Sequence, residues 1–307
     1  MSEVAGSVKP YGAWPSPIEA KDLVVGAAGL SEIVTDGGDV WFNESRPEEG
    51  GRVAILRWRN GTISEVTATD ADVSTRVHEY GGGAWWVGGG TLWYVDDADQ
   101  RLRRLDEDGT LTLLTPEPDQ PKAVRFADGR ATPDKAWFIC VRETHSVGEG
   151  QPVNDLVAVA GDGSGNVVVL AEGADFYSSP RLSPDGSKLA WVQWDHPNMS
   201  WDATELWLGD RVGGQLVSPR QVGGHHEPAA VVFPGFTADG RLWAVSDHHE
   251  WWNLYEFSDP DEIPTPLIEG SFEIATPGWV FGLSRWVEID GQAIIARTDP
   301  GGDTLFD

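Results

Sequence analysis

Leu182-Ser183-Pro184-Asp185-Gly186-Ser187-Lys188-Leu189-Ala190-Trp191-Val192-Gln193 is one of six versions of a single pattern. The others are VTDGGDVWFNES from Val34, WVGGGTLWYVDD from Trp86, ATPDKAWFICVR from Ala131, FTADGRLWAVSD from Phe236 and VEIDGQAIIART from Val287. Each sets a tight turn, built on Gly or Pro-Asp, ahead of a short run rich in Trp, Val, Ile and Phe. The pattern returns at about fifty residues, the size of a four-stranded propeller blade.

The residues between the copies fill out the blade. A second alternating run follows each turn-strand pair, as in RVAILRW from Arg52, DLVAVA from Asp155 and NLYEFS from Asn253. Then comes a second turn at Asn60-Gly61, Asp108-Gly109, Asp162-Gly163 or Gly213-Gly214, and a third run such as TISEVT or NVVVLAEG. Alternation of apolar and polar residues marks strands with one buried face, and Asn-Gly or Asp-Gly between two such runs signals a hairpin. The strand ahead of each copy, such as SSPRLS, completes a four-stranded meander. No window carries an amphipathic helix of three turns, and 37 Gly and 20 Pro break any helical period. Sheets packed face to face bury both sides, which suits most of the 16 Trp as core.

The expected fold is therefore all-β: a β-propeller of four-stranded antiparallel blades, with about five complete blades and a truncated sixth. In the sixth, GWVFGLSRW from Gly278 is the expected first strand and QAIIART the second, with a third beginning near Asp303. The expected division is an N-terminal arm over residues 1–30 and an incomplete propeller over 31–307. On this reading the chain is a fragment of a longer protein.

Composition narrows function. A net charge of −27 disfavours nucleic acid and anionic membrane surfaces, which are bound by surplus Lys and Arg. It fits a self-repelling surface, or an acidic interior that attracts the cationic end of a peptide. The single cysteine, Cys140, lies in the apolar run AWFICV, so no internal disulfide is available. The N-terminus shows no basic stretch followed by an apolar run, and a cytoplasmic location is expected.

The chain has no Gly-x-Ser-x-Gly elbow, P-loop, dinucleotide fingerprint or paired cysteines for structural zinc. The adjacent pairs His225-His226 and His248-His249, beside Glu227 and Glu250, are read as loop residues, because neighbours on a strand point to opposite faces. The acidic loops Val95–Asp99 and Ser258–Asp261 lack the spaced ligands of a calcium loop. No cofactor or metal is expected. Three stretches stand apart as aromatic-plus-acid loops: Val77–Gly83 with Glu79 and Tyr80; the segment through Trp194, Asp195, His196, Asp202 and Glu205; and Glu250–Tyr255 with Trp251, Trp252 and Asn253. These ten named residues are the candidates for facing a substrate or a neighbouring domain. The bland alternative is that they brace adjacent blades.

The same stretches carry a family resemblance. HEYGGGAWW, WDHPNMSWDATELW and SDHHEWWNLYEF, with YGAWPSPI from Tyr11 and ATPGWVFG from Ala275, resemble the N-terminal propeller of bacterial prolyl oligopeptidase family enzymes, of the dipeptidyl aminopeptidase or acylaminoacyl peptidase branch. The resemblance implies a propeller that covers the active site of a separate α/β-hydrolase domain and admits only short peptides. That domain holds the Ser, His and Asp of the triad. None of the triad maps onto this chain, so the chain alone is expected to be inactive. If Glu79 or Asp195 meets a substrate ammonium, its carboxylate pKa should fall. The alternatives are a free-standing interaction scaffold and a metal-dependent propeller hydrolase such as a lactonase.

Overall fold

Turn chemistry and strand alternation build six antiparallel sheets in the computed structural model, which describes residues 9–23, 25–146, 148, 150–225, 229–258, 262–299 and 301–306. Five sheets have four strands and the sixth has three, each hydrogen-bonded in chain order. The blades cover residues 29–65, 85–113, 124–171, 176–223, 231–268 and 286–306. Two short 3-10 turns are the only helical elements among the described residues, and none is long and apolar enough to cross a membrane.

Five hydrophobic clusters sit at the five junctions between successive blades. Blade 1 gives Trp41 and Ile55 to meet Trp85 and Leu92 of blade 2. Blade 3 shows why strand alternation matters: Phe138 and Cys140 face Trp93 of blade 2, whereas Ile139 and Val141 face Tyr177 and Trp191 of blade 4. Burial pushes the Cys140 thiol pKa well up, as befits a small core residue. Further clusters join blade 4 to blade 5 and blade 5 to blade 6. Each fully buried side chain of this size contributes about 1.5–3 kcal/mol. Among the described residues no such cluster joins blade 6 to blade 1. There Ile33 of blade 1 is exposed, as are Ile289 and Leu305 of blade 6.

A feature invisible to periodicity organises the axis. The first strands Gly29–Asp36, Val124–Ala131, Phe176–Leu182 and Val231–Phe236 each contain a β-bulge. At each bulge one residue takes positive φ: Glu32 (49°), Asp128 (53°), Ser179 (54°) and Phe233 (52°). A bulge bends the strand and re-aims its side chain. Here the bulges link neighbouring blades in sequence. Glu32 Oε1 accepts the Gly83 N–H at 2.9 Å, Gly83 O accepts the Asp128 N–H at 2.8 Å, and Asp128 Oδ2 accepts the Ser179 N–H at 2.6 Å.

The sixth blade departs from the sequence expectation. Its first strand is Trp286–Ile289, followed by Gln292–Asp299 and Gly302–Phe306. The run from Gly278 is not a strand of that blade. It leaves the sheet and crosses towards the loop before blade 2, where Phe281 forms a parallel bridge with Gly82 and its N–H donates to Gly81 O at 2.9 Å. Alternating aromatics gave this segment a strand-like pattern, but its partner is a glycine loop rather than a sheet.

Candidate functional site

A meander alternates strand direction, so the loops before the first strand, between the second and third strands, and after the fourth all emerge on one face. All ten candidate residues lie at that face. The segment 277–283 crosses its centre, and three of the resemblance motifs meet there. Phe281 is 7% exposed and packs with Val77, Tyr177 and Trp191. Its ring lies 4.9 Å from that of His78, which also meets Phe176 at 5.1 Å and Trp194 at 6.0 Å. Ser200 Oγ donates to Gly278 O at 3.0 Å, tying the 195–204 loop to the strap.

The glycine run Gly81-Gly82-Gly83 is the seat of the strap. All three have positive φ. A Cβ on Gly82 would lie 2.5 Å from Phe281 O, and one on Gly83 would lie 3.0 Å from the Phe281 Cβ. The space left beside the strap is about 60 Å³, lined by His78, Asp128, Trp194, Phe233 and Phe281 among others. That holds a few waters and no peptide.

The segment 277–283, the strap, itself carries part of an aromatic shelf. Tyr80 is 62% exposed and Trp279 50% exposed. Their rings are 5.4 Å apart, and Trp201 meets Trp279 at 4.6 Å. Beside the shelf, Arg125 Nη1 donates to Glu79 Oε1 at 2.8 Å, to Glu143 Oε1 at 3.1 Å and to Arg76 O at 2.8 Å. Glu143, nearly fully buried, also accepts the His78 N–H at 2.8 Å and faces His145 Nε2 at 2.7 Å. Arg125 holds the Glu79 carboxyl below its ordinary pKa, so the lowering looked for at Glu79 comes from within the protein. Glu79, Glu143 and His145 offer ligand atoms within 4.8 Å of one another. The Arg125 guanidinium sits among them, and its charge opposes a metal ion.

The other candidates divide. Trp194 stacks on Phe176 at 5.3 Å, and the His196 ring meets Phe176 at 4.8 Å. Asp195 Oδ1 accepts the Asp175 N–H at 2.7 Å, and Asp202 Oδ2 accepts the Met199 N–H at 2.8 Å, so both carboxylates hold loop backbone. Glu205 Oε2 accepts from Trp207 Nε1 at 2.8 Å and Gln193 Nε2 at 3.1 Å. Trp251, Trp252 and Asn253 stand apart on blade 5. The Trp252 N–H donates to Glu273, and buried Asn253 bonds Phe272 O and the Gly270 N–H. His248 and His249 lie in a turn, and His226 and Glu227 lie outside the described residues, as do Asp259 to Asp261. Sequence reasoning missed Arg125 and Glu143. Both sit inside a strand, and only their burial beside His78 and Glu79 distinguishes them.

Burial pushes the His78 imidazole down to about 4, so it is neutral at pH 7. A depressed histidine contributes stability that is intact above the unfolded value near 6.5 and is lost as pH falls towards 4, because only the unfolded chain takes up the proton. The loss is up to about 3 kcal/mol. Denaturant titrations at pH 7 and pH 4.5 should show this loss in the wild type. The drop should be much smaller in His78→Asn, which tolerates the left-handed backbone at this position (φ 54°). Equal drops in both proteins would remove His78 from the account.

No protein-family model matches the chain, and no curated protein does either. Solved structures do match. A puromycin-hydrolysing peptidase from Mycobacterium tuberculosis is 35% identical with a TM-score of 0.84, over 98% of this chain and 48% of that one. A puromycin hydrolase is 30% identical with a TM-score of 0.84, over the same shares. This chain is homologous to the propeller domain of prolyl oligopeptidase family peptidases. It spans about half the length of the puromycin-hydrolysing proteins it matches. Prolyl endopeptidases at 13% identity and a TM-score of 0.63 share the fold, over 91% of this chain and 41% of theirs.

Proposed function

We propose that this propeller covers and gates the active site of a cytoplasmic serine peptidase acting on short peptides, and is not itself catalytic. Nucleophile, base and oxyanion donors belong, on this reading, to an α/β-hydrolase domain that meets the face carrying the shelf. The supporting observation is the exposed aromatic shelf at the face where the three family motifs meet. A short peptide is met on that face. Tyr80, Trp279 and Trp201 offer it apolar surface.

The test has two arms. The chain should be neither labelled by a serine-directed fluorophosphonate nor able to hydrolyse aminoacyl anilides. Short peptides with an aromatic side chain should change its tryptophan emission saturably, and Tyr80→Ala with Trp279→Ala should weaken that binding about tenfold. Labelling or turnover by the chain alone contradicts the first half of the reading. Unaltered peptide binding in the double variant contradicts the second.

A further inference from the structure

The gap between blades 1 and 2 is open where another junction is filled. Trp41 pairs with Val34, two residues past the bulge residue Glu32, so its counterpart in blade 3 is Ile139, and Trp137 lies two residues nearer the outer turn. Trp41 and Trp137 both face the following blade. At the junction of blades 3 and 4, Trp137 presses on the hairpin glycine, and a Cβ on Gly214 would lie 2.5 Å from its indole. At the junction of blades 1 and 2, the hairpin glycine is Gly109, and a Cβ there would meet nothing within 4 Å. Between blades 1 and 2 lies a cleft of about 480 Å³ lined by Trp41, Arg57, Val66, Leu92, Leu105 and Leu111. That volume falls within the range of small-molecule sites, about 300–1,000 Å³.

The cleft has an apolar floor and one arginine whose head group makes no ion pair within hydrogen-bond reach. Its carboxylates are already engaged: Glu65 by Arg46 and Arg52 at 2.8 and 2.9 Å, Asp106 by Arg104 at 2.7 Å, and Glu107 by Arg59 at 2.9 Å. Arg57 differs from these four arginines. Its nearest carboxylate oxygen is that of Glu107, 3.9 Å away, beyond hydrogen-bond reach. The guanidinium lies over the Trp41 ring, 5.2 Å from its centroid, with its side chain 22% exposed. Arg57 Nε and Trp41 Nε1 have no hydrogen-bond partner, so this wall is short of acceptors. A guanidinium fork with free terminal nitrogens pairs best with a carboxylate.

We infer that the cleft between blades 1 and 2 is a binding site for a small monocarboxylate with an apolar or aromatic body. The carboxylate pairs with the terminal nitrogens of Arg57, and the body lies on Leu92, Leu105 and Leu111. The site is remote from the central face and independent of the peptidase reading.

The test is calorimetric titration of the whole protein with 4-phenylbutyrate, its primary amide and 4-phenylbutylamine. The acid should bind one to one with a Kd on the order of 0.1 mM, in line with the affinity available per ligand atom. The amide should bind about tenfold more weakly, as should the acid to Arg57→Gln, through loss of the charge-assisted pair. Leu111→Trp changes an exposed residue, so the fold is retained while the indole fills the cleft, and binding of the acid should be lost. Thermal melts of both variants verify folding. The inference is overturned if acid and amide bind equally, if the amine binds in place of the acid, if binding survives Leu111→Trp, or if millimolar acid gives no heat.

Discussion

Replacing Asp128 with alanine should destabilise the propeller by about 3–5 kcal/mol, the cost of removing one partner from a buried ionic group. The carboxylate is 1% exposed. It accepts the Ser179 N–H at 2.6 Å and Arg181 Nη1 at 3.2 Å, and lies 3.8 Å from Arg130 Nη1. Burial disfavours the charged form of Arg130, and Arg181 adds to that, while Asp128 and Glu32 offset it. Without Asp128 only Glu32 is left to offset the two guanidiniums, and a bulge-to-bulge link between blades 3 and 4 is lost. Denaturant titration measures the loss. Moving the same substitution into an Arg181→Met background should cost markedly less, because one of the stranded charges has gone. Equal costs in the two backgrounds would mean that packing, not charge, sets the role of Asp128.

Gly82→Ala should cost about 2–4 kcal/mol, far more than the strain of positive φ alone. The new Cβ would lie 2.5 Å from Phe281 O and 2.8 Å from Phe281 N, both backbone atoms that cannot rotate aside. The strap must lift, exposing Phe281 and opening the axis. Gly61→Ala is the matched control. It has nearly the same φ, 82° against 85°, but its Cβ would meet nothing within 4 Å, so its cost should stay near 1 kcal/mol. The comparison is read by urea titration, and by protease cleavage within residues 277–283 of the alanine variant. Similar costs for the two glycines would show that the strap exerts no hold on Gly82.

The blades were legible because their signals are local. Turns such as Asn60-Gly61 and apolar runs such as Leu189–Val192 declare themselves within a few residues, and their recurrence supplied the ring of sheets. The axis was not legible, because its chemistry joins residues that are close only after folding. Gly81-Gly82-Gly83 stood out in the sequence, yet its reason is Phe281 near the other end of the chain. Glu32, Asp128 and Ser179 look like ordinary strand residues until their bulges align. The site was legible in part. Glu79, Tyr80, Trp194 and His196 do gather at the centre of one face with His78. Asp195, Asp202 and Glu205 turn their carboxylates to backbone or indole N–H groups, which the sequence could not distinguish from carboxylates left open. Trp251 to Asn253 belong to a separate corner of blade 5, because Asn253 is spent on holding residues 270–272.

The seating of segment 277–283 on the glycine run includes one hydrogen bond that can be watched directly. Hydrogen–deuterium exchange of the Phe281 amide, bonded to Gly81 O in a buried setting, should be as slow as that of amides in the paired strand Val231–Phe236. Exchange at the rate of an exposed loop would mean that the strap is not held on the glycine run, and would contradict the account.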